Sequence, residues 1–136
     1  EHARSLIEAN VPVVLAGDYN VVPTPFDIYP TRSWDDDALV QPASRERFSK
    51  LIEQGWIDAI RSLHPNEPMY TFWDYKRGSW GRDAGLRLDH LLISPALSSR
   101  IADANVDKAI RGEIGASDHA PAWVLLKPPR KKNVTA

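Results

Sequence analysis

Five polar side chains in this sequence have the types and the placement that phosphate-ester chemistry requires. They are three carboxylates, one amide and one imidazole: Asp18, Asn20, Asp89, Asp118 and His119. Each carboxylate lies against a predicted β-strand, so strand ends can hold these groups in place. Carboxylates bind hard cations or accept a proton from water, while imidazole and amide groups meet phosphoryl oxygens. The set therefore suits hydrolysis of a phosphate ester.

The same clusters have a plain structural interpretation, which stays open at this point. Gly17-Asp18-Tyr19-Asn20 is good turn chemistry, because Asp and Asn side chains bond to nearby backbone groups. Ser117-Asp118-His119 can also be a turn that opens a strand, with the imidazole capping a neighbour. The occurrence of both clusters together with Asp89 favours the catalytic interpretation.

A further cluster, Phe72-Trp73-Asp74-Tyr75, completes an ordered series. Over residues 1–127 this series resembles the exonuclease III family of DNA-repair nucleases and AP endonucleases, within the endonuclease/exonuclease/phosphatase superfamily. The resemblance implies an α/β fold, half of a four-layer αββα sandwich of the two-sheet DNase I-like type. It matches only the C-terminal half of family members. We therefore expect a fragment, with the missing N-terminal half of the same domain as its partner and a frayed basic tail over 128–136.

The resemblance implies a role for each polar side chain. Asp18 would activate water, and Asn20 would position the phosphate. Asp89 would fix the tautomer of His119 and keep its ring charged, so that the ring neutralises charge in the transition state. Asp118, with Asp18 as a second contact, would lie at a site for Mg²⁺, for which Mn²⁺ can substitute. The metal-binding Glu of the family has no counterpart here, which predicts an incomplete site in this chain.

The segment from 72 to 87 combines aromatic and basic residues. Between residues 76 and 87 four basic side chains accompany one acid, so the local charge is +3 although the whole chain carries −1. Cations interleaved with rings are typical of segments that contact phosphates and stack on bases. The predicted substrate-contacting residues are Phe72, Trp73, Tyr75, Lys76, Arg77, Trp80, Arg82 and Arg87.

Two interpretations of Phe72 and Trp73 stay open. The resemblance implies that aromatic residues in this segment border the pocket for an abasic sugar, where the cost of extrusion is lower because no base stacks. Aromatic residues on a strand are also common core residues.

Composition narrows the class of protein further. The chain has no Cys, so it lacks disulfides and thiolate ligands. This is compatible with a reducing compartment, and we expect a cytoplasmic protein. The longest apolar run, 11–16, has the length of a strand, and nothing resembles a signal peptide, so we expect no membrane partner. Asp35-Asp36-Asp37 and Arg130-Lys131-Lys132 are interpreted as solvated charges, and His64 as a surface loop residue.

Apolar periodicity and turn residues predict the elements. The predicted helices cover 2–10, 43–54 and 56–63, the strands cover 11–16, 70–73, 87–93, 105–110 and 120–126, a loop covers 21–42, and a helix starts at Ser94-Pro95. The continuous apolar run 11–16 predicts a strand buried on both faces, with Asp18 and Asn20 just beyond its end. Without a partner sheet, the inner faces of strands 11–16 and 87–93 would be exposed, which predicts self-association or contact with a missing partner segment.

These expectations converge on a metal-dependent DNA phosphodiester hydrolase of base-excision repair. It would cut at abasic sites and degrade duplex DNA from 3′ ends, whereas the isolated chain would be inactive. Two alternatives stay open. The superfamily also contains phosphatases of inositol lipids and sphingomyelinases with similar clusters. The chain could instead be a catalytically silent fragment that binds nucleic acid.

Overall fold

The structure is a computed structural model that describes residues 1–31, 37 and 39–132. The α-helices are α1 (His2–Glu8), α2 (Pro42–Glu53), α3 (Ala59–Leu63) and α4 (Lys108–Arg111). The strands are β1 (Val14–Asp18), β2 (Ile57–Asp58), β3 (Asp89–Ile93), β4 (Ile101–Val106) and β5 (Ala122–Leu126). Short 3₁₀ helices cover Pro25–Asp27 and Pro95–Arg100. Part of the predicted loop 21–42, including Asp35 and Asp36, and residues 133–136 of the predicted tail lie outside the described residues.

The strands form two antiparallel sheets. The first has the order β1-β3-β2, so β3 is its central strand. Val14 lies opposite Ile93, and Asp18 lies opposite Asp89. In the second sheet β4 pairs with β5, with an irregularity between Ile101 and Asp103. The antiparallel register of the first sheet brings the end of β1 beside the start of β3.

The central strand β3 sends alternate side chains into two apolar clusters. Leu91 and Ile93 pack with residues of α3 and of the β4–β5 sheet. Leu92 points to the opposite face and packs with Phe48 of α2 and with Trp56, because successive side chains of a strand alternate between its faces. The result is a layer of helices, the first sheet, and then α3 with the second sheet. This α/β arrangement confirms the predicted fold class.

His90 is a buried histidine of the apolar core. Its ring lies against Tyr19 and Phe48, with centroid distances of 5.5 and 4.8 Å. Its Nε2–H donates to the Val21 carbonyl at 3.0 Å. Burial first, and then the positive charge of Arg87, lower the pKa of His90. His90 is therefore a neutral core residue, although it directly follows Asp89.

The prediction for the first strand was wrong in two respects. The strand begins at Val14 rather than at residue 11, and it continues through Gly17 to Asp18. It is also not buried on both faces: its residues range from half-buried to exposed. The strand is an edge strand with β3 as its neighbour, and its last three residues, 16–18, are exposed. Asp18 is the last residue of the strand, and its side chain also takes part in the turn that follows.

Three other element predictions also required correction. The predicted helix 56–63 begins with the short strand β2, and Asp58 then caps α3 by accepting a bond from the Arg61 N–H at 3.2 Å. The predicted strand 105–110 is the end of β4 followed by α4. The predicted strand 70–73 is reduced to isolated bridges at Phe72. Side-chain capping and pairing between distant strands decided these boundaries. The apolar periodicity of the sequence contains no information about either.

The expectation that strand 87–93 exposes an uncovered apolar face was wrong. Leu92 and Ile93 are fully buried, and Leu91 is nearly so. Other parts of the same chain pack on both faces of β3. The helices lie on one face, and the β4–β5 sheet with α3 lies on the other. Self-association of the chain stays a prediction, but β3 gives no reason for it.

Candidate active site

Asp18, Asp89 and His119 meet at one edge of the first sheet. Asp18 ends β1 and Asp89 begins β3, and the two residues are paired across the sheet. His119 reaches this point because its backbone pairs with Phe72. One oxygen or nitrogen atom from each of the three side chains lies within 4.8 Å of the others. The structure therefore brings together residues that are 30 to 101 positions apart in the sequence.

The imidazole of His119 has a defined orientation in this cluster. Its Nδ1 lies 2.7 Å from Oδ2 of Asp89, and its Nε2 lies 3.9 Å from Oδ2 of Asp18. A carboxylate only accepts hydrogen bonds, so Nδ1 carries a proton that it donates to Asp89. This bond fixes the ring and leaves Nε2 facing Asp18, in a side chain that is 30% exposed. The arrangement can present a polarised imidazole nitrogen to a bound anion.

Asp18 and Asn20 form a turn and part of the site at the same time. The Asn20 N–H donates to Oδ1 of Asp18 at 2.9 Å. Asn20 has a φ of 48°, in the left-handed region that Asn tolerates better than most residues. Both residues are exposed, so their polar atoms are accessible to a ligand. The turn interpretation is thus correct, and it is compatible with a catalytic role.

Among the described residues, Asp118 does not belong to the group whose ligand atoms all lie within 4.8 Å of one another. Its Oδ1 is 3.5 Å from Oγ of Ser117, and its carbonyl accepts a bond from the Trp73 N–H at 2.9 Å. The side chain is half-buried. A role for Asp118 as a cation ligand stays a prediction.

The two aromatic residues predicted to line a sugar pocket have different positions. The ring of Phe72 is half-buried and lies 5.1 Å from the ring of His119, edge to face. Trp73 is only 1% exposed, and its Nε1–H donates to Asp83 at 2.9 Å. The prediction that Trp73 contacts substrate was therefore wrong, because its ring packs inward against Trp80.

An exposed basic loop follows these aromatic residues. Lys76, Arg77 and Arg82 are exposed and contribute to the lining of an open cavity of about 610 Å³. Tyr75 is 65% exposed, and its hydroxyl donates to the Ala116 carbonyl at 2.9 Å. Trp80 is half-buried, with one edge against Trp73 and two cations near its ring. Four of the predicted residues, Tyr75, Lys76, Arg77 and Arg82, are thus exposed in one loop, and their contact with substrate stays a prediction.

Arg87 does not belong to that surface, and its prediction as a substrate contact was wrong. Its guanidinium is fully buried, donating to Asp27 at 2.6 Å and to both oxygens of Asp58 at 2.9 and 2.8 Å. Arg61 also donates to Asp27. Burial alone would raise the pKa of Asp27, but its bonds to Arg87 and Arg61 outweigh burial and hold the pKa below its ordinary value. The four residues form a buried ion cluster.

Arg111 supports the basic loop, although the sequence does not predict a role for it. It is 7% exposed, and its guanidinium donates twice to the Trp73 carbonyl, at 2.8 and 3.1 Å. The same group lies 5.0 Å from the centre of the Tyr75 ring. Arg111 thus anchors the start of the basic loop to α4. No pattern in the sequence distinguishes it from a solvated arginine on a short helix.

Comparison with known proteins assigns the chain to a family. Residues 1–119 match the profile of the Endonuclease/Exonuclease/phosphatase family. The chain belongs to this family. The match covers the three residues Asp18, Asp89 and His119 of the cluster, and it confirms the resemblance stated from the sequence.

Relatives with curated names are nucleases of DNA metabolism. The chain is 30% identical over 121 residues to an exodeoxyribonuclease of Bacillus subtilis, covering 88% of this chain and 46% of the relative. It is 33% identical over 121 residues to the DNA repair nuclease APEX1 of Danio rerio, covering 88% of this chain and 38% of the relative. The chain therefore spans less than half the length of these two relatives.

Solved structures share the fold. The 3′ phosphatase NExo of Neisseria, bound to a product DNA hairpin, has a TM-score of 0.86 and 32% identity over 91% of this chain and 48% of that one. An AP endonuclease of Archaeoglobus fulgidus has a TM-score of 0.83 and 31% identity over 92% of this chain and 50% of that one. Within the described residues, no helix has the length and apolar character needed to cross a membrane.

Proposed function

We propose that the intact protein hydrolyses phosphodiester bonds of duplex DNA, at abasic sites and at 3′ ends, with the help of a divalent cation. The observation that supports this most strongly is the convergence of Asp18, Asp89 and His119 within 4.8 Å. The names of the relatives, which include an exodeoxyribonuclease and a DNA repair nuclease, support DNA as the substrate class.

Each side chain of the cluster has a proposed task. Asp18 accepts a proton from the attacking water, and its exposure gives water access to the carboxylate. His119 faces the phosphate through Nε2 and stabilises the charge that develops on the phosphoryl oxygens. Asp89 holds the imidazole by the 2.7 Å bond to Nδ1. Asn20, two residues after Asp18, donates its side-chain amide to a phosphoryl oxygen.

A hard divalent cation fits the donor set in part. Asp118 and Asp18 would hold it through carboxylate oxygens, the ligand type that Mg²⁺ and Mn²⁺ prefer. When bound, such an ion polarises a phosphoryl oxygen and offsets its negative charge. Two carboxylates are few protein ligands even for Mg²⁺, which usually keeps several water molecules in its coordination shell. We therefore propose that residues outside this chain complete the site.

The DNA would lie along the exposed basic loop. Lys76, Arg77 and Arg82 offer charge to phosphates, and the exposed ring of Tyr75 offers a face for stacking or wedging. Phe72 is the aromatic residue next to His119, so we propose that it borders the pocket for the abasic sugar. Trp80 is half-buried in the same loop, and we propose that it adds to this surface.

The test uses the intact protein and three substrates: duplex DNA with an abasic site, duplex DNA with a recessed 3′ end, and a phosphoinositide. With Mg²⁺ we expect cleavage of both DNA substrates and not of the lipid. Asp18→Asn and His119→Ala should each lower the rate by about 10²-fold or more. The matched control is Asp103→Asn, which changes an exposed carboxylate of β4 away from the site.

Other outcomes would overturn the proposal in recognisable ways. Hydrolysis of the phosphoinositide without DNA cleavage would identify a lipid phosphatase of the same family. DNA binding without cation-dependent cleavage would identify a silent nucleic-acid-binding protein. Unchanged rates in Asp18→Asn and His119→Ala would show that the cluster is not the catalytic centre.

A further inference from the structure

Thr71 lies between the two chain segments that carry Asp89 and His119. It is fully buried. On one side its N–H donates to the Leu86 carbonyl at 2.9 Å, and on the other its carbonyl accepts from the Ala120 N–H at 2.8 Å. The backbone of Thr71 therefore ties the segment leading into β3 to the residue that follows His119.

The hydroxyl of Thr71 makes a second connection to the same segment. Its Oγ1 accepts hydrogen bonds from the N–H groups of Leu88 and Asp89, at 3.0 and 3.1 Å. Consecutive N–H groups of a regular strand point to opposite edges, so their convergence on one oxygen marks an irregular entry into β3. Unpaired donors at a buried position are costly, so this oxygen stabilises that irregular conformation.

Thr71 therefore forms hydrogen bonds to the backbone at Asp89 and to the backbone next to His119. The hydroxyl holds the backbone of Asp89, and the carbonyl holds the residue after His119. The bond between the two side chains is 2.7 Å long, and small displacements of either backbone segment would lengthen it.

We propose that Thr71 is a positioning residue for this pair, an inference that rests on the proposed function of the site. Its hydroxyl sets the backbone of Asp89 so that the carboxylate meets Nδ1 of His119 and Nε2 faces Asp18. Thr71 itself is buried and touches no substrate. Thr71 contributes by aligning the imidazole of His119. This alignment affects the turnover rate and not the affinity for DNA.

The experiment compares Thr71→Val with Thr71→Ser in the intact protein on abasic duplex DNA. Valine keeps the shape of threonine and removes the acceptor, whereas serine keeps the hydroxyl. We expect Thr71→Val to lower kcat by about 10-fold or more and to leave KM within about 2-fold, because misaligned catalytic groups lose rate rather than binding. Thr71→Ser should retain kcat within about 3-fold of the unmodified protein.

A second readout separates positioning from a purely structural role. NMR at a temperature well below unfolding reports the Nδ1 proton of His119, which the Asp89 bond protects. We expect this resonance in the unmodified protein and in Thr71→Ser, and its shift or loss in Thr71→Val. A Thr71→Val protein with lower thermal stability but with unchanged kcat and an unchanged resonance would overturn the proposal.

Two further variants test the role of Thr71 and the site assignment independently of Thr71→Val. If Thr71→Val does not fold, Thr71→Cys replaces it, because a thiol is a weak acceptor of similar size. Thr71→Cys should show the same losses, and full kcat with an unchanged resonance would overturn the proposal. His119→Ala, measured beside them, tests the proposed function separately. If that variant is fully active, the site assignment fails, while the NMR comparison still decides whether Thr71 positions the pair.

Discussion

The residues of the candidate site combine accessibility with a fixed geometry. The side chains of Asp18, Asp89 and His119 are 37, 22 and 30% exposed, so each remains in contact with solvent. His90, the next residue after Asp89, has the opposite environment: it is fully buried and its pKa is lowered by that burial. At the residue scale, a short bond to a carboxylate and partial exposure distinguish the histidine of the site from the histidine of the core.

A double-mutant cycle tests whether Asp89 and His119 act as one unit. Asp89→Ala should lower kcat by about 10²-fold while it barely weakens DNA binding, because the carboxylate contacts the imidazole and not the substrate. Adding His119→Ala should lower kcat little further, since groups that act together are not additive. The measurement is single-turnover cleavage of abasic duplex DNA by the four proteins of the cycle. Fully additive losses would show that the two residues act separately.

At the scale of elements, a buried ion cluster joins segments that would otherwise be independent. Arg87 leads into β3, Asp27 ends a 3₁₀ helix, and Asp58 caps α3. The bidentate bonds of Arg87 to Asp58 and its bond to Asp27 fix the relative positions of these elements. Because Asp89 follows Arg87 by two residues, this cluster also supports the start of the strand that carries the site.

Removal of the central cation should destabilise the fold strongly. Arg87→Met leaves the carboxylates of Asp27 and Asp58 without their main partner, and Asp27 is fully buried. We expect a loss of about 3–5 kcal/mol in the free energy of unfolding, measured with urea. Lys50→Met, on an exposed position of α2, is the control and should change stability by less than about 0.5 kcal/mol. Full stability of Arg87→Lys would show that charge alone matters and that the planar bidentate geometry does not.

The same cluster predicts a pH dependence of stability. The pKa of Asp27 is lower in the folded protein than the ordinary value of 3.8. Its ionised form thus stabilises the fold fully above about pH 4, and this contribution is lost as the pH falls through the folded pKa. Urea unfolding between about pH 5 and pH 2 should show this acid-dependent loss. Asp27→Asn should be less stable at neutral pH and should have a shallower acid dependence, and an unchanged slope would contradict the assignment.

At the scale of the whole molecule, the chain is a layered unit that spans about half the length of its structural relatives. It covers both faces of its own central strand, so it has a core of its own. The polypeptide of residues 1–136 on its own should nevertheless show no DNA cleavage above background with Mg²⁺ or Mn²⁺. The reason is that Asp118 and Asp18 are too few ligands for a well-held cation.

The isolated polypeptide should still bind duplex DNA weakly through its basic loop. That affinity should fall steeply with salt, and Lys76→Ala should reduce the salt dependence by about one ion, whereas Lys50→Ala on α2 should not. Filter binding at several salt concentrations measures both effects. Robust cation-dependent cleavage by the isolated polypeptide would contradict the prediction that its site is incomplete.

Much of the site could be predicted from the sequence, because the chemistry of a side chain does not depend on the fold. Three of the five predicted polar residues, Asp18, Asp89 and His119, lie together in the structure, while the roles of Asn20 and Asp118 stay predictions. The α/β fold class was confirmed. The amphipathic helix over 43–54 and the last strand were also placed within a few residues, since local periodicity decides such elements. The sequence by itself determined which groups are available and, through the order of the clusters, the family.

Only the tertiary structure decided which polar groups are buried and what they contact. Arg87 and Trp73 have the sequence context of a DNA-binding segment, yet Arg87 is paired with Asp27, which is 60 residues away, and Trp73 is packed inward. The bonds of Thr71 to Leu88 and Asp89 likewise cross 17 and 18 positions. Burial of a charge depends on partners that are close in space and distant in the chain. Local sequence patterns do not show which distant residues become neighbours. Only the folded arrangement of the sheets brings these partners together.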